Sequence, residues 1–210
     1  MPDRMTERIE TSDPRALPRA LEVLHAGNLV GFPTDTVYGL GAAAYDDMAV
    51  GRLYETKGRG TEKAIPILLG DVSDLSRVAL DPPEMALALA TRFWPGALTL
   101  VVVRQPGLPE SLSQDATIGV RVPDHPFARQ LLRAAGPLAA TSANRTGKAS
   151  PLTAEDVLRG LEGRFELLLD GGTVPGGRPS TVIDCTGKTP RLLRPGPISY
   201  DEIRATLGLG

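Results

Sequence analysis

The 210-residue sequence predicts an α/β fold: one domain over residues 1–210, built on a single twisted sheet of mixed or largely parallel strands with helices on its flanks. Three observations carry that prediction. Short aliphatic runs bounded by Gly and Pro alternate with stretches of helical period. Several of those runs are too continuously apolar for strands with one wet face, which asks for cover on both sides of the sheet. A chain of this length buries about 70% of the surface its unfolded form exposes, enough for one core, and no linker, repeat or low-complexity tract divides it.

In chain order, strands are predicted at LVGFP (29–33), IPILL (65–69), LTLVVV (98–103), TIGVRV (117–122), LAATS (138–142), FELLLD (165–170), STVIDC (180–185) and RLLR (191–194). Helices are predicted at about 14–26, 46–56, 71–79, 82–93, 125–135, 153–161 and 199–207. Asp71, Thr153 and Ser199 are placed to cap orphan backbone amides, each with an acid soon after, at Asp74, Asp156 and Glu202. Only Ser199 with Glu202 is expected to close a full capping box, because aspartate reaches back less far than glutamate.

Composition bounds the function. A formal charge of −2 exerts no global pull toward nucleic acid or anionic membrane, so any phosphate site must come from a local cluster. The single cysteine, Cys185, cannot form an internal disulfide, and His25 and His125 add too few ligands for a structural zinc cage. No metal ligand is assigned, and a cytoplasmic setting is expected. The start, MPDRMTERIETSD, is polar where a secretory signal needs an apolar stretch, and no run approaches the roughly 20 residues of a membrane span.

Five segments carry candidate chemistry. In GFPTDTVYGLGAAA (31–44) a strand ends in a polar burst and a Gly-rich turn before the helix near Asp46. Thr34 and Thr36 stand two apart, so on an extended backbone their hydroxyls face one side and can hold a small polar ligand, with Gly39 and Gly41 admitting backbone amides to it. A turn with internally satisfied hydroxyls fits equally. GLGAAA has dinucleotide-like spacing, but Thr34 to Tyr38 separate it from the strand it should follow directly, which makes that the weaker reading.

In KGRGTEK (57–63) an extended loop flanked by Gly58 and Gly60 would point Lys57 and Arg59 the same way, with Lys63 behind them. Such a loop suits a triphosphate, the ammonium as point charge and the guanidinium as a fork; a solvated basic loop is the plain alternative. In TIGVRVPDHP (117–126) Arg121 is a charge on an otherwise apolar strand, on the face of Thr117 and Gly119. It can take a ligand carboxylate or pair with Asp124 or another acid. Asp124 and His125, bracketed by Pro123 and Pro126, are not read as a hydrolytic dyad, since adjacent residues rarely face each other.

In PLAATSANRTGKASPLTAEDV (137–157) Ser142 and Asn144 share a side, and Ser150 precedes a helix whose amino end favours an anion; a capped, solvated loop is the alternative. Neither TGK nor GKT belongs to a Walker A loop, because the earlier glycine it requires is Ser142 in one case and Val182 in the other. In DGGTVPGGRPSTVIDCTGKTPRLLRPGPIS (170–199) two glycine-rich turns place Arg178, Ser180, Thr181 and Arg194 near strand ends, either in a loop that closes over a ligand or in a plain hairpin connection. Cys185 is expected to pack as a small hydrophobe.

PTDTVYGLG, KGR, WPGALTLVV, GVRVPDHP, TSANRTGKASP, GGRPSTVID and LLRPG together resemble, in order and spacing, the YrdC-like family of L-threonylcarbamoyladenylate synthases, over about residues 15–205. The resemblance implies a twisted α/β sheet with a concave, positively charged groove. It implies that Lys57, Arg59, Ser142 and Asn144 form the family's KxR and SxN hallmark, that Lys57, Arg59, Lys63, Thr117, Ser142, Ser150 and Arg194 line an ATP side, and that Thr34, Thr36, Arg121 and the backbone at Ala140 line an L-threonine side. The implied reaction joins L-threonine, bicarbonate or CO₂ and Mg²⁺-bound ATP into threonylcarbamoyl-AMP and pyrophosphate. The product passes to a downstream tRNA-modifying complex that acts on adenosine beside the anticodon. One departure is Leu68, where longer members often carry a histidine. The other readings are an RNA-binding module, whose tRNA contact would be weak on an acidic chain, and a related carbamoyl-transfer domain.

Overall fold

The structure is a computed structural model that describes residues 5–209. Its elements run in the order β1 (Glu7–Glu10), α1 (Ala16–His25), β2 (Val30–Phe32), β3 (Gly39–Ala43), α2 (Asp47–Lys57), β4 (Ile67–Leu68), α3 (Leu75–Val78), α4 (Glu84–Phe93), β5 (Leu98–Val103), β6 (Thr117–Arg121), α5 (Pro126–Ala135), β7 (Leu138–Ser142), α6 (Ala154–Leu161), β8 (Leu167–Asp170), β9 (Thr181–Asp184), β10 (Arg191–Arg194) and α7 (Tyr200–Thr206). The ten strands form one sheet in the order β1-β8-β2-β3-β7-β4-β6-β5-β9-β10. It is mixed: β1 and β2 each run parallel to β8, β4 to β6 and β5 to β9, while the other neighbours are antiparallel.

Strand alternation sorts the core into two layers. Leu167, Leu169, Val30, Phe32, Leu68, Leu138 and Ala140 point to one face, where α1 and α5 cover them. Leu168, Leu29, Ile67 and Ala139 point to the other, with Leu98, Leu100, Val102, Ile118, Val120 and Ile183, beneath α2, α4, α6 and α7. On the second face these residues are buried from Leu168 of β8 to Ile183 of β9. On the first, helix cover stops near β4 and β7, and Thr99, Val101, Gly119, Arg121 and Val182 face an open cavity.

Two strands escape the sequence reading. Glu7–Glu10 is an edge strand with one apolar residue, Ile9, so it shows no alternation to detect. Gly39–Ala43, expected as a glycine turn, is a central strand between β2 and β7. Its glycines make room for an aromatic ring: a Cβ on Gly41 would stand 2.8 Å from Phe32 Cε1.

Two capping expectations also change. Asp71 caps nothing; its carboxylate pairs with Arg133 and Arg129 of α5, and the Arg133 guanidinium above all holds its carboxyl down to about 2. Thr153 and Asp156 do close a full box, because Asp156 Oδ2 reaches the Thr153 amide at 3.2 Å. His125 serves as the cap of α5, its Nδ1 accepting from the Ala128 amide at 3.3 Å. Burial, helped by the Asp184 carboxylate, pushes the Cys185 thiol up to about 12, so it packs as an inert apolar group. Among the described residues no helix is long and apolar enough to cross a membrane.

Candidate functional site

The cavity over the uncovered part of the sheet holds about 350 Å³. Its floor is β-sheet: Leu68 from β4, Thr99 and Val101 from β5, Gly119 and Arg121 from β6, Ala140 to Ser142 from β7, and Val182 from β9. Gly119 keeps the floor low, since a Cβ there would press on Thr99 Cγ2 at 3.2 Å and Pro66 Cβ at 3.3 Å. Around the rim stand Thr34, Thr36, Arg59, Ser150, Ser180 and Arg194. Among the described residues the wall contains Arg59, Arg121 and Arg194 and no carboxylate.

The turn after β2 is internally braced. Thr34 Oγ1 donates to the Val37 carbonyl at 2.6 Å, accepts from the Thr36 and Val37 amides, and lies 3.1 Å from Thr36 Oγ1. The two hydroxyls meet because the chain bends at residues 35–37, so the expected extended backbone gives way to the alternative of a turn whose hydroxyls are satisfied internally. Residues 171–179 cross over this turn as a strap. The Gly177 amide donates to the Thr36 carbonyl at 2.9 Å, and the Val174 amide to the Leu152 carbonyl at 3.0 Å. The Tyr38 hydroxyl holds the strap's root, donating to the Gly172 carbonyl at 2.7 Å and accepting from the Gly171 amide at 3.0 Å. Only glycine fits at 176, where a Cβ would lie 2.0 Å from the Thr36 carbonyl oxygen.

Arg121 sits at the end of β6 with its side chain 8% exposed. Nε donates to the Gly96 carbonyl at 2.9 Å, Nη1 to Thr36 Oγ1 at 3.0 Å and Nη2 to Asp35 Oδ1 at 2.5 Å. Both sequence alternatives therefore meet in one residue: Arg121 has an acid partner and also faces the cavity. That partner is Asp35, not Asp124, because the tight turn swings Asp35 and Thr36 to the same guanidinium. Arg194, whose Nε and Nη2 donate to the Ser180 carbonyl, is lowered in pKa by burial and further by the like charge of Arg121. Two guanidiniums that repel across a cavity make it attractive to an anion.

The reading of 57–63 as one extended cationic loop is corrected. Lys57 is the last residue of α2, followed by Gly58 in the left-handed conformation (φ +58°) that ends the helix. Val50, Leu53 and Lys57 stand at i, i+3 and i+7, so Lys57 continues the buried stripe and is only 3% exposed. Its Nζ donates to the carbonyls of Ser142 and Asn144, and to Asn144 Oδ1 at 3.3 Å. Burial, then the charge of Arg59, pushes the ammonium down to about 8, so it is still charged at neutral pH. Lys57 braces the loop after β7 from behind the wall, and Asn144 belongs to that brace. Arg59 alone of the pair reaches the cavity, its guanidinium fixed by the carbonyls of Lys63 (3.1 Å) and Ala64 (2.9 Å).

Of the other predicted residues, Ser142, Ser150, Arg194, Thr34, Thr36 and Ala140 lie on the wall. Thr117 shares the face of Gly119 and Arg121 but sits farther along β6, opposite Val103 and outside the cavity lining. The Lys63 side chain is exposed and also outside it. Sequence reading missed Thr99, whose hydroxyl meets Ser180 Oγ at 2.8 Å on the floor. The signal was available: Thr99 is the polar residue in LTLVVV, as Arg121 is the charge in TIGVRV.

The family model Sua5_yciO_yrdC, described as "Telomere recombination", matches residues 22–196. The chain belongs to the Sua5/YciO/YrdC family. It is 43% identical to the threonylcarbamoyl-AMP synthase of Bacillus subtilis, over 97% of this chain and 60% of that protein. It is 41% identical to the putative threonylcarbamoyl-AMP synthase of Mycobacterium tuberculosis H37Rv, over 98% of this chain and 97% of that one. Among solved structures, Pyrococcus abyssi Sua5 complexed with L-threonine superposes with a TM-score of 0.91 at 40% identity, over 97% of this chain and 60% of that chain. Escherichia coli YciO superposes with a TM-score of 0.83 at 28% identity, over 95% and 98%. This Sua5/YciO/YrdC member thus spans about 60% of the length of the Bacillus relative and of Sua5, and nearly all of the Mycobacterium relative and YciO.

Proposed function

We propose that this Sua5/YciO/YrdC chain is a threonylcarbamoyl-AMP synthase acting in the cytoplasm, joining L-threonine, bicarbonate or CO₂ and ATP. The observation that carries the reading is the convergence of Arg59, Arg121 and Arg194 on a hydroxyl-lined cavity whose wall has no carboxylate. Such a wall favours anionic partners, and all three substrates carry or acquire anionic groups. The relatives named threonylcarbamoyl-AMP synthase support the same reading.

ATP lies toward Arg59, Ser142, Ser150 and Arg194, with Lys63 and Thr117 at its margin, and L-threonine toward Thr34, Thr36, Arg121 and Ala140. Lys57 and Asn144 act through the loop they brace. The ammonium of threonine gives up a proton to water, the free amine adds to CO₂ and releases a second proton to form a carbamate, a carbamate oxygen bonds to the α-phosphorus, and the bond from that phosphorus to the bridging β-phosphate oxygen breaks to release pyrophosphate. No side-chain nucleophile is needed: the wall holds the anions together and neutralises charge developing on phosphate. Mg²⁺ would enter bound to the nucleotide phosphates, since no described residue of the wall is a carboxylate that could hold it. The labile product then goes to a downstream enzyme that modifies tRNA.

Pyrophosphate release from ATP, measured with bicarbonate and each amino acid in turn, tests the proposal. Release that requires both bicarbonate and L-threonine, and that collapses in Arg59→Ala, is expected. Release indifferent to threonine, or unchanged in Arg59→Ala, refutes it.

A further inference from the structure

Asp35 stands one layer behind the cavity wall, and it is the carboxylate bonded to a wall arginine among the described ion pairs. A guanidinium carries five N–H donors. Arg121 commits one each to Gly96, Thr36 and Asp35, which leaves one N–H on each Nη without a partner among these bonds, on a residue that lines the cavity. Those remaining donors are still enough for a carboxylate. The charge is a different matter. With Asp35 at 2.5 Å, the charge of Arg121 has its own counter-ion, whereas Arg59 and Arg194 are bonded only to carbonyls and a hydroxyl. One corner is therefore built for a ligand without net charge, inside a cavity otherwise built for anions.

From this geometry we infer that Asp35 selects zwitterionic α-amino acids over plain carboxylates at Arg121. A ligand carboxylate on the free N–H groups brings its α-substituent within about 5–8 Å of the Asp35 carboxylate, given ordinary charge-assisted hydrogen-bond lengths. An ammonium at that position is attracted to Asp35, and that attraction offsets the repulsion between the two carboxylates. A hydroxyl at the same position leaves the repulsion uncompensated. Asp35 itself is 17% exposed in its side chain, so water screens the effect only in part. The same carboxylate fixes the guanidinium plane, which makes Asp35 a positioning residue as well as a filter.

The inference rests on the reading of this corner as an amino-acid site, and its test separates the two. Affinities for L-threonine and for the matching dihydroxy acid, in which a hydroxyl replaces the α-ammonium, are measured by calorimetry with and without a non-hydrolysable ATP analogue. Wild-type and Asp35→Asn are compared through the ratio of the two affinities, since any general damage to the site cancels in a ratio. The ratio is expected to favour threonine in the wild type, to fall by about tenfold or more in Asp35→Asn, and to recover in Asp35→Glu. Wild-type binding of threonine with an unchanged ratio in Asp35→Asn overturns the role of Asp35 and leaves the threonine reading standing. Failure of the wild type to bind threonine under either condition overturns that reading and the inference with it. Should Asp35→Asn not fold, Asp35→Ser, which leaves room for water beside Arg121, carries the same expectation. If neither folds while Asp35→Glu does, Asp35 is a structural counter-ion and the selectivity role is refuted.

Discussion

Replacing Lys57 with methionine separates the brace from the wall. The substitution keeps a buried unbranched side chain of similar length and removes an ammonium holding two carbonyls and one side-chain amide oxygen. A hydrogen bond to a charged donor contributes about 1.5–3 kcal/mol, and a buried acceptor left alone costs about 1–3 kcal/mol. Against this, methionine relieves the burial of a charge whose pKa is already pushed down to about 8, so the terms do not simply add. A net loss of roughly 3 kcal/mol is expected, or about 1–2 M in the urea midpoint at an m-value near 2 kcal/mol/M. Arg59→Met should behave in the opposite way: its guanidinium is half-buried on a loop and bonded to carbonyls that water can serve, so stability should change by less than about 1 kcal/mol while ATP binding is lost. Urea denaturation followed by circular dichroism, paired with nucleotide titration, reads both. A Lys57→Met protein as stable as the wild type would refute the brace, as would an Arg59→Met protein with normal ATP affinity.

Other substitutions and conditions test other parts of the site. Gly176→Ala places a Cβ 2.0 Å from the Thr36 carbonyl, so the strap must lift. The KM for threonine should rise at least about tenfold with a stability loss of about 1–3 kcal/mol, checked by steady-state kinetics and thermal melts. Because burial, then the charge of Arg59, pushes the Lys57 ammonium down to about 8, raising the pH through that value removes its proton, and the brace loses a donor. The rate should fall on the alkaline side with a midpoint near that value, and the limb should be absent in Lys57→Met. Arg121→Lys replaces a fork that meets Gly96, Thr36 and Asp35 at once by a single ammonium, and should raise the KM for threonine by about 10–100-fold while leaving ATP affinity within about threefold.

The sequence alone determined the α/β class, most strands and helices, and the segments that supply the wall. These depend on local periodicity and turn chemistry, which a chain carries in its own order. It did not reveal the edge strand at Glu7–Glu10, because a strand held by parallel pairing to β8 needs little apolar alternation of its own. It did not reveal that Gly39–Ala43 is a strand, because the use of those glycines is set by the Phe32 ring of a neighbour. For Lys57 the glycines at 58 and 60 pointed to an extended loop, while the structure carries the helix one residue further and turns the side chain inward. Tertiary structure decided the rest: that Lys57 faces inward to oxygens from residues 142 and 144, that Asp35 rather than Asp124 meets Arg121, and that the cavity opens where helix cover ends. Each depends on groups far apart in the chain, and only the packed sheet fixes those distances.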